Sequence, residues 1–172
     1  MNVRTATPAD LDALHALVHR AYRGDSARGG WTHEADLLDG QRTDRAALDE
    51  TLADPAQIIL VAEKDVRLIG CVQVSDRGAG IAYLGMLSVD PSLQAQGLGR
   101  QLIEAAESAA RISFGSARME MTVILQREEL IAYYERRGYA RTGETRPFPL
   151  TDPRFGLPKR DDLAFAVLSK DL

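Results

Sequence analysis

The segment Val89-Asp90-Pro91-Ser92-Leu93-Gln94-Ala95-Gln96-Gly97-Leu98-Gly99-Arg100 limits the fold more tightly than any other part of the chain. A β-rich run from Tyr83 to Val89 enters it and a helical pattern leaves it, so a Gln-x-x-Gly-x-Gly turn must join strand to helix. The first amides of a helix lack internal partners and sit at the positive end of its dipole. Such a junction suits a phosphate. Glycine at 97 and 99 removes Cβ atoms that would hold an anion away from the backbone. No Gly-Lys-Ser/Thr follows, which excludes the P-loop, and the third glycine of the dinucleotide fingerprint is missing.

A second segment, Leu130-Ile131-Ala132-Tyr133-Tyr134-Glu135-Arg136-Arg137-Gly138-Tyr139, predicts a helix that ends at glycine and opens a strand. Together the two segments resemble motifs A and B of the GCN5-related N-acetyltransferases (GNAT), in the order and separation that family uses. The resemblance runs over roughly residues 83–146.

The rest of the chain agrees with that fold. Val3 to Thr5 reads as a strand, and Thr7-Pro8-Ala9-Asp10 as a helix start with Thr as cap. Leu11, Leu14, Leu17, Val18 and Ala21 then share one face. Residues 24–41 read as irregular, with a short helix over Thr32 to Asp39, and a further helix spans Arg45 to Leu52. Gln57 to Glu63 and Val66 to Ser75 predict a hairpin turning at Lys64-Asp65. Strands follow at Ile81 to Val89, Arg118 to Leu125, Tyr139 to Arg146 and Asp162 to Ser169, with a Pro-rich excursion over Pro147 to Lys159. Hairpins followed by strand–helix alternation give a mixed α/β (α+β) fold. The resemblance specifies it as a central, mostly antiparallel sheet with helices on both faces, splayed at an acetyl-CoA cleft. Residues 1–172 are expected to form a single N-acetyltransferase domain.

The resemblance implies an acyltransferase that moves acetyl from acetyl-CoA to an amine by direct attack in a ternary complex. It assigns pantetheine to Leu87, Ser88 and Val89, and the pyrophosphate to Gln94, Ala95, Gln96, Gly97, Leu98, Gly99 and Arg100. It places an amide near Met86 or Leu87 against the thioester oxygen. Tyr134, five residues before Tyr139, takes the position of the general acid toward the coenzyme thiolate. A thiol with a pKa of about 8.5 leaves readily enough for a tyrosine to assist it. Gly85, inside a strand, predicts a bulge that would open the cleft. Trp31, Glu34 and Glu120 are the candidates for the acceptor side. One departure is Arg127, which stands where the family often has asparagine and cannot accept a hydrogen bond. Two other readings remain open: a noncatalytic acyl-CoA-binding or regulatory module, and a transferase of other acyl groups or to oxygen.

Composition narrows the partners. Hydrophobic residues make up 45% and charged residues 27%, and the net charge of −4 disfavours nucleic acid. There is no run of eighteen apolar residues and the N-terminus lacks a signal-peptide core, so neither a membrane partner nor export is expected and the location is predicted to be cytoplasmic. The lone Cys71 reads as a packing residue, and no metal is expected. The resemblance implies a small-molecule or peptide amine as acceptor, and the family's habit of dimerising allows a homodimer.

Overall fold

The computed structural model describes residues 1–22, 38–39, 43–150 and 156–172. Seven strands form one sheet. In chain order they are β1 (Asn2–Thr5), β3 (Gln57–Lys64), β4 (Arg67–Asp76), β5 (Ile81–Val89), β6 (Arg118–Ile124), β7 (Ala140–Pro147) and β9 (Ala164–Asp171). Their spatial order is β1-β3-β4-β5-β6-β9-β7. Among the described residues only the β5–β6 pair of this sheet is parallel. Two short strands, β2 (Leu38–Asp39) and β8 (Leu157–Pro158), pair separately. The expected helix over Thr32 to Asp39 therefore does not reach its last two residues, and the remainder lies outside the described residues.

Among the described residues, four helices flank the sheet: α1 (Leu11–Tyr22), α2 (Arg45–Ala53), α3 (Leu98–Phe114) and α4 (Glu128–Glu135). Leu14, Leu17 and Val18 of α1 and Leu48 of α2 pack on one face with Ile59, Val61, Cys71 and Met86. Leu102, Ile103 and Ala106 of α3 and Ile131 of α4 pack on the other, with Leu60, Ala62, Val72 and Leu84. The alternation along β3 follows from the two-residue period of a strand covered on both sides.

Local chemistry sets the ends of these elements. The Asp10 carboxylate accepts the Thr7 N–H at 2.8 Å, closing the turn that starts α1, and Arg4 grips the same carboxylate at 2.9 Å. The guanidinium beside Asp10 is the main reason its carboxyl sits low, at about 2. The β3–β4 hairpin turns on Asp65 and Val66, both left-handed, one residue later than expected. Valine is a poor choice for that geometry, so its β-branched side chain reads as strand in the sequence. Here it projects into solvent, 92% exposed.

The interruption in β5 positions the site. Cys71 pairs with Ser88 and Gln73 with Gly85, so β5 spends one more residue than β4 across this step. The extra residue marks a bulge. Gly85 does not carry the left-handed backbone; Met86 does, with φ 51°. The inserted residue reverses the strand's parity. Leu84 packs toward α3, Met86 toward α1, and Leu87 toward α3 again. The Ser88 hydroxyl, turned inward, donates to the Met86 carbonyl at 3.2 Å.

Candidate functional site

The parallel pairing of β5 with β6 ends at Tyr83–Glu120, whereas β6 stays paired to β9 as far as Ile124–Phe165. Past that point β5 and β6 diverge, and a cleft opens between them. One arm, of about 330 Å³, runs from Leu87 and Val89 along Gln94 to Arg100 and is faced by Tyr133 and Arg137. The second arm, of about 220 Å³, lies between Tyr83–Leu87 and Met121–Ile124. Tyr22, Leu87, Leu130 and Tyr134 line both arms and so form their junction.

The first arm begins at the glycine turn. Asp90 is buried, accepts Ser92 N–H at 3.1 Å and Ser92 Oγ at 2.7 Å, and pairs with Arg67 at 2.7 Å. Burial raises its pKa, but the Ser92 hydrogen bonds and the charges of Arg67 and Arg20 outweigh that, leaving it lowered. A fixed carboxylate anchors the exit of β5. Ala95 and Gly97 then take left-handed conformations, at φ 66° and 79°, which swing the chain into α3. Gly97 caps α3 with no side-chain hydrogen bond, and the first intrahelical bond runs from Gln101 N–H to Gly97 O at 3.2 Å. The Leu98, Gly99 and Arg100 amides consequently have no partner within the helix.

The two glycines serve different ends. Gly97 has open space where a Cβ would be, and its requirement is the positive φ. Gly99 has helical backbone, but a Cβ there would lie 2.6 Å from the Tyr133 hydroxyl oxygen. Its missing side chain admits Tyr133, whose ring is covered by the Arg137 guanidinium at 3.4 Å from the centroid.

Tyr134 sits at the junction, 5% exposed. Its ring stands edge-on to Tyr133 and to Tyr139, at centroid distances of 5.5 and 6.1 Å. Burial pushes its hydroxyl well above the usual tyrosine range; Tyr22 adds to the shift and the Arg127 charge opposes it. No hydrogen bond to that hydroxyl forms among the described residues. Tyr139, which fixes the end of α4, donates to Glu107 at 3.0 Å, and Lys170 Nζ reaches the same carboxylate at 2.8 Å.

The sequence-based site residues fall into three groups. Leu87, Val89, Gln94, Ala95, Gly97, Leu98, Gly99, Arg100 and Tyr134 all line the cleft. Ser88 faces the core, Gln96 lines a separate hollow beside Lys64 and Gln101, and Glu120 lies outside the cleft lining, with Arg146 at 3.8 Å. Trp31 and Glu34 lie outside the described residues. Three cleft residues carried no signal in the sequence. Tyr22 ends α1 and donates its hydroxyl to the Leu87 carbonyl. Phe148 and Phe165 come from the Pro-rich excursion and from β9, and meet only through the register of the sheet.

Comparison with known proteins agrees with this geometry. The profile described as "Acetyltransferase (GNAT) family" matches residues 12–139. A mycothiol acetyltransferase of Salinispora tropica is 32% identical over 77% of this chain and 42% of its own length, so the chain spans about two-fifths of that relative. An IAA acetyltransferase of Azospirillum brasilense is 31% identical over 86% of this chain and 90% of its own. Among solved structures, the PaiA N-acetyltransferase of Thermoplasma acidophilum in complex with coenzyme A superposes with a TM-score of 0.67 at 16% identity, covering 99% of this chain and 98% of that one.

Proposed function

The chain belongs to the acetyltransferase (GNAT) family, and from that premise we propose that it transfers acetyl from acetyl-CoA to an amine by direct attack, with Tyr134 protonating the departing thiolate. The observation that carries this reading is the cleft itself. One arm starts at uncapped helix amides suited to a pyrophosphate, and both arms meet at a buried tyrosine.

Each part of the cleft has a task in this reading. The Leu98, Gly99 and Arg100 amides and the α3 dipole hold the diphosphate, and Arg100, at the mouth, adds charge. Leu87 and Val89 line the path of the pantetheine arm, and Ser88 and Gln96 contribute backbone alone. The amides at Met86 or Leu87, freed from regular pairing by the bulge, face the thioester oxygen and stabilise the negative charge that develops on it. The neutral amine attacks the carbonyl carbon, and the carbon–sulfur bond breaks. The sulfur takes the Tyr134 proton, and solvent returns a proton to Tyr134 as the amine's surplus proton leaves. A hydroxyl held above the ordinary tyrosine range stays protonated at neutral pH and is available as a donor.

Gly97→Glu tests the coenzyme site. The new side chain meets open space, so its main effect is to place a carboxylate beside the helix amides. The left-handed backbone costs about 1–2 kcal/mol. Calorimetry should show tight coenzyme A binding to the parent and at least ~100-fold weaker binding to a folded variant. Undiminished affinity would place the diphosphate elsewhere.

A further inference from the structure

The second arm of the cleft has a chemical character of its own. Beyond Tyr134 it is walled by Tyr83, Ile124, Phe148, Pro149 and Phe165. The Phe148 and Phe165 rings lie 5.2 Å apart with a 40° tilt, and they pack in one cluster with the buried Ile124 and Leu163. The two hydroxyls at the base, Tyr83 and Thr122, satisfy each other at 2.5 Å. Among the described residues lining this arm there is no carboxylate, and the charged side chain present is the cation Arg127.

Size points the same way. An apolar cavity of about 150 Å³ takes a benzene ring, and this arm offers about 220 Å³. Aromatic rings prefer tilted or offset partners at centroid distances of about 4.5–7 Å. A third ring can meet that preference against Phe148 and Phe165. The arm opens directly onto the junction through Leu87, Leu130 and Tyr134, so the ring and the reacting nitrogen need be separated by only a short linker.

Resting on the acetyl-transfer reading above, we propose that the acceptor is a primary amine carried on an aromatic ring by a short linker, with the ring seated against Phe148 and Phe165. The aromatic wall then selects the acceptor through KM, and the chemistry at Tyr134 is common to all amines.

The experiment measures coenzyme A release from acetyl-CoA with four acceptors: 2-phenylethylamine, 2-cyclohexylethylamine, propylamine and spermidine. Coenzyme A binding is measured separately by calorimetry. We expect kcat/KM for 2-phenylethylamine to exceed that for propylamine by about 10–100-fold, in line with what an apolar pocket discriminates per added group. It should exceed that for 2-cyclohexylethylamine by about 2–10-fold, the margin an aromatic pair adds beyond area, and spermidine should be the poorest of the four. Phe148→Leu, chosen to keep the wall filled, and Phe165→Leu as a second variant should each shrink the phenyl-over-propyl preference several-fold, mainly through KM. Coenzyme A binding together with a preference for spermidine or propylamine, or equal use of the cyclohexyl and phenyl amines, overturns the acceptor class and leaves acetyl transfer standing. A folded protein that binds no coenzyme A overturns the acetyl-transfer reading and this proposal with it.

Discussion

Gly99→Ala offers a sharp test of how the first arm of the cleft is built. In a helix, alanine is favoured over glycine by about 0.8–1 kcal/mol, and Gly99 has no left-handed backbone to protect. Judged by backbone alone, the change should stabilise. The added Cβ, however, lands 2.6 Å from the Tyr133 hydroxyl oxygen. Tyr133 has little freedom to retreat, since Arg137 covers its ring at 3.4 Å and Tyr134 stands edge-on at 5.5 Å. Overpacking of this kind costs about 1–3 kcal/mol, so the helix gain is offset and the single variant should lose about 0–2 kcal/mol net. In a chain of this size that is about 2–4 °C in Tm per kcal/mol. Removing the hydroxyl reverses the sign. With Tyr133→Phe in place, the nearest remaining atoms are Tyr133 Cζ at 3.7 Å and Val89 Cγ2 at 3.9 Å, both ordinary contacts. Adding Gly99→Ala to Tyr133→Phe should then stabilise by up to about 1 kcal/mol. A double-mutant cycle by urea unfolding should report a coupling of about 1–3 kcal/mol. Additivity within about 0.5 kcal/mol would mean that the hydroxyl does not occupy the space the missing Cβ leaves.

Tyr134→Phe should lower turnover by on the order of 10²-fold, the lower end of general acid contributions because a thiolate needs little help. Coenzyme A affinity should change less than threefold and Tyr133→Phe should cost less, so full turnover in Tyr134→Phe with chemistry rate-limiting removes the acid assignment. Since the Tyr134 pKa is raised, kcat should show no loss from its ionisation up to about pH 10, and a descending limb near pH 8 that vanishes in Tyr134→Phe would contradict this. Asp10, lowered from 3.8 to about 2 chiefly by the Arg4 hydrogen bond, binds its proton more weakly folded than unfolded. Its contribution is therefore complete above about pH 4 and lost as pH falls toward 2, so Asp10→Asn should destabilise at pH 6 and converge with the parent near pH 2 in thermal unfolding. Glu107→Ala strands Lys170 and the buried Tyr139 hydroxyl and should cost about 2–4 kcal/mol in urea unfolding, whereas Glu107→Gln, which still accepts from Tyr139, should cost less.

Much of the fold was legible because periodicity and capping are local. The face of α1 carrying Leu14, Leu17 and Val18 packs as its spacing predicts, and the strand at Ile81–Val89 and the helix after Gly97 both form. The departures arise where tertiary geometry overrides a local preference. Val66 reads as strand by its branched side chain, yet hairpin register forces it into a left-handed turn. The bulge in β5 was foreseen at the strand glycine, but its left-handed residue is Met86, because that carbonyl is held by the Ser88 hydroxyl and the side chain is buried against α1. A sequence records that a strand is interrupted; which residue absorbs the interruption depends on the neighbour it must pair with.

The site divides along the same line. The turn at the proposed diphosphate end was readable because its chemistry lies in backbone amides, and a glycine pattern reports backbone directly. Even there one pattern covers two physical causes. Gly97 answers to its own φ, while Gly99 answers to a tyrosine 34 positions away in the chain, a constraint invisible until α4 is docked on α3. The second arm, proposed above as the acceptor end, had no such local report. Its walls come from β5, β6, β9 and the segment after β7, and Phe148 meets Phe165 only because Pro147 pairs with Ala164 across two antiparallel strands. A cleft that holds a common coenzyme through backbone at one end is free to vary its side chains at the other. In the proposed reading, that division explains why two short motifs identify the family and are silent about the acceptor, which has to be read from the walls of the second arm.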